Sequence, residues 1–194
     1  AQIMIVGEAP GEQDDLSGNP FTGPSGQWLD LYLAATSTRI ELIEEYKLSI
    51  TNRRAYNPTK VRNLLLEEFF FTNTVCCRPP ENRDPTPIER LACKDRLLET
   101  IYLVDPVIII AAGKIAMEVL LSKKVVSILA KRGEMFDTNI PGKYTNVVYP
   151  CVPILHPAFL MRNIDDRAGS YSDKTYNDIL SVVHIVDEFN FLHY

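Results

Sequence analysis

The chain has 194 residues, of which 46% are hydrophobic and 23% are charged, a composition typical of a soluble domain with a substantial core. No apolar run reaches the ~18 residues of a transmembrane helix, and the first residues predict a core strand and not a signal peptide. The net charge of −5 argues mildly against a nucleic-acid binder, although gripping a few nucleotides needs only a local basic surface. Because the chain opens on Ala1, we expect that an N-terminal segment is missing.

Strands are predicted from four short apolar runs, at residues 2–6, 69–75, 107–112 and 147–155. Pro150 and Pro153 interrupt the last run, which favours an edge or end position for that strand. Continuous apolar strands that alternate with helices indicate a parallel sheet covered on both faces. We therefore predict an α/β fold, a single-domain α/β/α sandwich over residues 1–194 with a central, mostly parallel four-stranded sheet.

Helices are predicted between these strands. One begins at Ser25, one follows the capping box formed by Thr86 and Glu89, one follows Gly113, and the last spans residues 173–188. Residues 37–66 form an insertion that contains the most basic stretch of the chain, with Tyr56 among its cations. This stretch is either a solvated surface loop or a DNA-contacting finger in which Tyr56 stacks on a base.

Three loops that follow strand ends carry the candidate chemistry. The Gly- and Pro-rich loop of residues 7–26 follows the first strand, Asn73 ends the second, and His156 follows the last. Ligands of parallel sheets bind outside the carboxyl ends of the strands, so we expect these loops to converge on one crevice.

The motifs in these loops closely resemble the family four uracil-DNA glycosylases, the iron–sulfur members of that superfamily. The segments are GEAPGEQDDLSGNPFTGPSGQWLD (Gly7–Asp30), TNTVCCRPPENRDPTPIERLAC (Thr72–Cys93) and PILHPAFLMRN (Pro153–Asn163). They occur in the family's order over nearly the whole chain, apart from the insertion. The resemblance implies a DNA base-excision repair enzyme that flips uracil into a pocket and hydrolyses its N-glycosidic bond with water as nucleophile.

The resemblance assigns base binding and leaving-group stabilisation to particular residues. Asn73 matches the base reader, because an amide offers a donor and an acceptor to uracil O4 and N3–H. Phe21 matches the aromatic that stacks on the flipped base, and Ala9 the small residue that lets backbone approach the ligand. His156 matches the histidine that hydrogen-bonds uracil O2 as charge builds on the base. Alternatively, Asn73 is a turn former, Phe21 a core anchor and His156 a structural residue.

Two acidic residues in the first motif are candidates for handling the water or the cationic sugar. Glu8 provides a carboxylate there, and Asp14 stands where the family usually has Glu, so its side chain is shorter by one methylene. Loop capping is the alternative role for both.

Three further residues match positions that contact DNA. Ser25 can donate to phosphate at a helix N-terminus, and Arg162 can hold phosphate. Leu160 resembles the wedge that fills the gap left by the flipped base, with packing as its alternative role.

The cysteines match half of a cluster. Cys77 and Cys93 have the spacing of the last two ligands of the family's structural [4Fe–4S] cluster, whose first two ligands form a CxxC upstream of the first strand. Three interpretations stay open: the upstream CxxC was trimmed or left out, the cluster has been lost, or Cys76 or Cys151 completes an atypical site.

Two functions from different classes follow. The first is a monofunctional uracil-DNA glycosylase, because no lysine occupies a motif position suited to Schiff-base chemistry. The second is a weak or inactive glycosylase-like module that binds DNA within a replication complex, favoured by Asp14, the acidic charge and the insertion. An unrelated nucleotide-binding domain is disfavoured, because GEAPGE is neither GxGxxG nor a P-loop. We expect uracil-containing DNA as partner, no membrane partner, a cytoplasmic, nucleoid-associated location, and a monomer, either free or part of a larger replication or repair protein.

Overall fold

Five strands form one sheet in the computed structural model, which describes residues 1–138, 148–165 and 167–193. The sheet order is β2-β1-β3-β5-β4, and every neighbouring pair is parallel except the antiparallel pair of β5 and β4. The strands are β1 (Ile3–Gly7), β2 (Phe69–Asn73), β3 (Ile108–Ala112), β4 (Phe136–Asp137) and β5 (Pro150–Ile154).

The predicted α/β class and mostly parallel sheet are confirmed, but the predicted number of four strands is one too low. The missed strand β4 has only two residues, too few for an apolar pattern to reveal. Consequently β5 is not the edge strand that its prolines suggested. Among the described residues, β4 pairs only with Pro150 and Cys151, and the half of β5 that contains Pro153 pairs with β3 alone. Residue 147, where this strand was predicted to begin, lies outside the described residues.

Helices cover both faces of the sheet. They are α1 (Glu12–Ser17), α2 (Pro24–Thr36), α3 (Ile40–Thr51), α4 (Pro58–Glu68), α5 (Pro87–Ala92), α6 (Lys94–Val104), α7 (Lys114–Leu121), α8 (Ile128–Lys131), α9 (Pro157–Arg162) and α10 (Tyr171–His193), with a 3-10 turn at Pro80–Asn82. Within the described parts of the chain, none of these helices combines the length and apolarity that a bilayer span requires.

The core consists of two layers because successive side chains of a strand point to opposite faces. Ile3 and Ile5 of β1 pack with buried residues of α2, α3, α4 and α10 on one face. Met4 and Val6 of the same strand pack with α6 and α7 on the other. The interiors of β1 and β3 are therefore apolar, and the polar candidates lie at the carboxyl ends of the strands, such as Asn73 at the end of β2, and in the loops that follow.

The helix predicted after Thr86 is divided in two. The capping box of Thr86 and Glu89 is present, but α5 ends at Ala92 and α6 begins after Cys93. Ile88 and Leu91 of α5 are 79% and 69% exposed, so the apolar spacing seen in the sequence does not mark a buried face there.

The insertion forms α3 and α4, which pack on the same face as α2. Leu42, Val61 and Leu65 are fully buried, which secures both helices to the core. Tyr56, in the loop between them, is partly buried and packs against that core, so it is not the free stacking face that the finger hypothesis required. Arg53 and Arg54 in the same loop are exposed.

Candidate active site

One cleft of about 600 Å³ lies at the carboxyl ends of the parallel strands. The loops after β1, β2 and β5 all contribute to its walls, as the sequence predicted. It brings together eight of the predicted site residues, namely Glu8, Ala9, Asp14, Phe21, Ser25, Asn73, His156 and Arg162.

Asn73 and Phe21 meet at the base of this cleft. Asn73 is the last residue of β2, lies opposite Gly7 of β1 in the sheet register, and is 7% exposed. A Cβ atom on Gly7 would overlap both Asn73 Oδ1 and the Phe21 ring, so the two side chains close over that glycine. In the part of the chain that the structure describes, no protein group hydrogen-bonds the Asn73 side-chain amide. The amide is thus available to a ligand that lies beside the aromatic ring.

His156 is held as a neutral donor. It caps α9, and its Nδ1 accepts a hydrogen bond of 3.2 Å from the backbone N–H of Ala158. Burial, reinforced by the charge of Arg162, lowers the pKa of His156 to about 4, so the ring is uncharged at neutral pH. A neutral imidazole that accepts at Nδ1 carries its proton on Nε2. His156 therefore offers an N–H donor from Nε2.

Glu8 lies near the midpoint of its titration at neutral pH. Burial is the largest cause that raises the pKa of Glu8; the Asp84 carboxyl adds to the rise by charge and hydrogen bonding, Arg90 opposes it, and together they place the pKa at about 7. Asp84 also lines the cleft. Its role was missed in the sequence because ENRDPTP signals only a loop, and nothing in that pattern shows that the loop folds back toward Glu8.

Asp14 supports the loop, which is the alternative role considered for it, and its catalytic role stays a prediction. Its carboxylate accepts hydrogen bonds from the backbone of Thr22 at 2.7 Å, Gly23 at 3.3 Å and Gly11 at 3.2 Å, and from the Thr22 hydroxyl at 2.9 Å. A carboxylate with four donors on its two oxygens is committed to holding residues 11–23 in place.

Of the three predicted DNA contacts, two face the cleft and one is buried. Ser25 lies in the first turn of the 13-residue helix α2, and the side chain of Arg162 is exposed. Leu160 is 1% exposed and packs in the interior. Its prediction as a wedge is therefore wrong for this conformation, and packing is the role that the burial supports.

Arg96 is a further residue that the sequence did not single out. Its guanidinium donates to the Thr72 hydroxyl at 2.9 Å, to the Asn73 carbonyl at 2.6 Å and to the Thr74 carbonyl at 3.3 Å. Through these contacts, Arg96 of α6 fixes the backbone on either side of Asn73, the proposed base reader. Only the tertiary structure brings Arg96 there, because it is remote from that position in the sequence.

The cysteines present do not complete a cluster site. Cys76 and Cys77 are exposed, Cys93 is half-buried, and among residues 1–138, 148–165 and 167–193 no three Cys, His, Asp or Glu side chains are arranged to hold a metal ion. Cys76 lies close enough to Cys93 for the two thiols to interact, although burial is the main reason that the pKa of Cys76 is raised.

Cys151 is excluded as an additional ligand. It is 1% exposed within β5, and burial raises the pKa of its thiol to about 12. β5 is separated from β2 by β1 and β3 in the sheet, and within the described residues Cys151 belongs to no group of three side chains that could hold a metal ion. The hypothesis that Cys151 completes an atypical cluster is therefore wrong.

Comparison with known proteins identifies relatives over most of the chain. The profile of the uracil DNA glycosylase superfamily matches residues 1–180. The chain is 35% identical over 162 residues to a type-4 uracil-DNA glycosylase of Thermotoga maritima, covering 84% of this chain and 67% of that protein. It is 38% identical over 166 residues to a type-4 uracil-DNA glycosylase of Saccharolobus solfataricus, covering 84% of this chain and 63% of that protein. The chain thus spans about two thirds of the length of these relatives.

A third relative belongs to a different kind of protein. The chain is 29% identical over 185 residues to a DNA polymerase of Bacillus phage SP01, covering 93% of this chain and 17% of that polymerase. The superfamily match and the two glycosylase relatives agree with the geometry of the cleft, and the chain belongs to the type-4 family of the uracil-DNA glycosylase superfamily.

Proposed function

We propose that this protein excises uracil from DNA by hydrolysing its N-glycosidic bond. The observation that carries the proposal is the convergence of Phe21, Asn73, His156 and Glu8 on one cleft at the strand ends. The relatives named as uracil-DNA glycosylases support the same reaction. The proposed partner is uracil-containing DNA inside the cell, where such repair takes place.

Recognition of the base rests on Phe21 and Asn73. A flipped uracil would lie against the Phe21 ring, with the Asn73 amide nitrogen donating to O4 and the amide oxygen accepting from N3–H. Cytosine presents the opposite donor and acceptor pattern at these two atoms. It would leave the buried amide unpaired, which costs binding free energy.

Cleavage of the bond uses His156 and Glu8. As the bond between N1 and C1′ breaks, its electron pair moves into the uracil ring, and the His156 Nε2–H donates to O2, where negative charge develops. Ionised Glu8 orients a water toward C1′, accepts its proton as the new C1′–O bond forms, and stabilises the cationic sugar. The products are an abasic site and uracil, which then takes a proton from solvent.

No lysine lines the cleft among the described residues. The amine that a Schiff-base intermediate with C1′ would require is therefore not supplied by these walls. This supports hydrolysis alone, without cleavage of the DNA strand.

Contacts to the DNA backbone are assigned to Ser25 and Arg162. Ser25 stands at the positive end of the α2 dipole, which favours a phosphate, and Arg162 adds an exposed cation beside His156. These local donors offset a net charge of −5 that would otherwise repel DNA.

A structural [4Fe–4S] cluster on Cys77 and Cys93 is part of the proposal, supported by their family spacing. Such a cluster needs four ligands, so this pair requires further thiolates. Base excision involves no redox step, and the reaction described above passes through none of these cysteines.

A second candidate is a glycosylase-like DNA-binding module of a replication complex. It is favoured by the similarity to a segment that makes up 17% of the phage DNA polymerase. It is weaker because a binding module has no need of a neutral histidine donor and a carboxylate that titrates near pH 7 in the same cleft.

The experiment that tests the function uses a labelled single-stranded oligonucleotide with one uracil. We expect the protein to release uracil and leave an alkali-labile site, and we expect His156→Ala to reduce the rate by a factor of about 100, as for loss of one oxyanion-hole donor. Folded protein that binds this oligonucleotide without releasing uracil would reject the enzyme and leave the binding module as the better account.

A further inference from the structure

The backbone at Phe21 has a conformation that an aromatic residue rarely adopts. Its φ is +59°, in the left-handed region that favours glycine, because a Cβ atom crowds the carbonyl oxygen there. The Phe21 side chain is also 6% exposed and lies beside Asn73 at the base of the cleft. Something in the surrounding structure must hold this residue in place.

One restraint comes from α2 and another from α4. Gly26 packs so closely on the Phe21 carbonyl that any Cβ atom at that position would overlap it. From the other side, Arg62 Nη2 donates a hydrogen bond to the same carbonyl oxygen. Arg62 belongs to α4, which ends the segment that we treat as an insertion.

Arg62 is itself fixed in position by two neighbours. Its Nη2 lies 3.0 Å from Oδ1 of Asp30, whose side chain is 5% exposed. This contact is an ion pair and not a well-aligned hydrogen bond. Its guanidinium carbon lies 4.4 Å from the centroid of the Phe71 ring. The Phe71 and Phe21 rings are 5.9 Å apart, so Arg62 reaches Phe21 through its carbonyl and through a shared aromatic neighbour.

From these contacts we infer that Arg62 is a positioning residue for the base-stacking ring, with Asp30 as the anchor of its guanidinium. The inference rests on the proposed function, because Phe21 needs this orientation only if a flipped base stacks on it. It makes the insertion part of the active site, through α4 and not through the basic loop at its tip. The ligand concerned is the pyrimidine base.

The alternative is that Arg62 merely neutralises a buried acid, and α4 offers a matched control for that role. Lys60 of the same helix lies 2.7 Å from Oε1 of Glu45, whose side chain is also 5% exposed. Removing either cation deprives a buried carboxylate of its charged partner, although Glu45 keeps a hydrogen bond of 3.2 Å from the backbone N–H of Asn57. The described contacts of Lys60 do not include Phe21, so only Arg62 couples its ion pair to the cleft.

The experiment compares Arg62→Gln with Lys60→Gln in the full chain, by single-turnover uracil release and by thermal unfolding. We expect both variants to lose thermal stability, but a decrease in excision rate of about tenfold for Arg62→Gln and less than twofold for Lys60→Gln. The excision rate of Arg62→Lys should lie between those of the wild type and Arg62→Gln, because lysine keeps the charge but not the planar arrangement of donors.

A double-mutant cycle with Phe21→Leu measures whether the two residues act together on the excision rate. A purely structural role of Arg62 would give no such coupling. If Arg62 acts through Phe21, Arg62→Gln should lower the rate less than twofold further in the Phe21→Leu protein. Equal losses in both backgrounds, or equal losses for Arg62→Gln and Lys60→Gln, would overturn the assignment.

Binding keeps the test independent of turnover. We would compare affinities for strands that carry 2′-fluoro-2′-deoxyuridine, in which fluorine slows bond cleavage, or thymidine at the same position. Arg62→Gln should reduce the preference for the uracil strand about tenfold and Lys60→Gln should preserve it. If the wild-type protein prefers the uracil strand but does not excise uracil, the proposed function is rejected. The comparison of the two variants by binding then still tests the role of Arg62. An unchanged preference in Arg62→Gln would refute the inference alone.

Discussion

The pH dependence of excision should follow the ionisation of Glu8. Burial and the Asp84 carboxyl raise the pKa of Glu8 from 4.5 to about 7, and the proposed reaction requires the ionised form. With that pKa, the ionised fraction increases from about one tenth at pH 6 to about nine tenths at pH 8, so the rate should increase about tenfold. His156 does not contribute to this change, because its pKa of about 4 keeps it neutral throughout.

The perturbation that tests this reasoning is Asp84→Asn. It removes the neighbouring negative charge but leaves Glu8 buried, so the pKa of Glu8 should decrease part of the way toward 4.5. The midpoint of the rate profile should move to lower pH, and at pH 6 the variant should be faster than the wild type.

The assay is single-turnover release of uracil from a single-stranded oligonucleotide between pH 5.5 and 8.5, since steady-state rates would include product release. Glu8→Gln serves as the control and should give a low rate without an ascending limb. A flat wild-type profile, or an Asp84→Asn midpoint equal to that of the wild type, would refute the role of Glu8 as a titrating base.

Three further predictions concern the walls of the cleft and the cysteines. Gly7→Ala should reduce single-turnover excision at least tenfold, because its Cβ atom would overlap Asn73 and Phe21. The control Gly11→Ala should stay near the wild-type rate, because a Cβ atom there meets nothing within 4 Å. Equal rates for the two variants would contradict the geometry of the base site. Arg96→Gln should lower the free energy of unfolding, measured in urea, by about 2 kcal/mol. It should also weaken discrimination between uracil and cytosine, because it releases the backbone around Asn73. Unchanged selectivity would show that Arg96 does not position Asn73. Iron analysis and absorbance near 400 nm should show that Cys77→Ser lowers iron content while Cys76→Ser retains it, and the reverse order would make Cys76 the partner of Cys93.

The sequence predicts the layers of the fold and the members of the cleft well, because these depend on local pattern. Continuous apolar runs such as residues 107–112 are typical of strands buried on both faces, and chain order with parallel pairing brings the loops after β1, β2 and β5 to one edge. Asn73, Phe21 and His156 follow from motifs within single loops, so their meeting needs no long-range information beyond the topology.

The features that were missed depend on contacts between distant segments. Arg62 reaches Phe21 from a helix 41 residues away, and Asp84 turns toward Glu8 from another loop. No periodicity encodes either approach. Leu160 shows the opposite error, because motif position suggested a wedge where 1% exposure supports packing.

The measurement that tests the central claim most directly is base selectivity in Asn73→Asp. Wild-type protein and variant would each be given strands that differ only in one uracil, cytosine or thymine, and release of the free base would be measured. The variant replaces the amide donor by a second acceptor, which no longer suits uracil O4 but can accept from the cytosine amino group. We predict that the wild type releases uracil alone and that the variant loses most of this activity and gains preference for cytosine. Equal release of uracil by both proteins, or none by a folded wild type, would contradict the account.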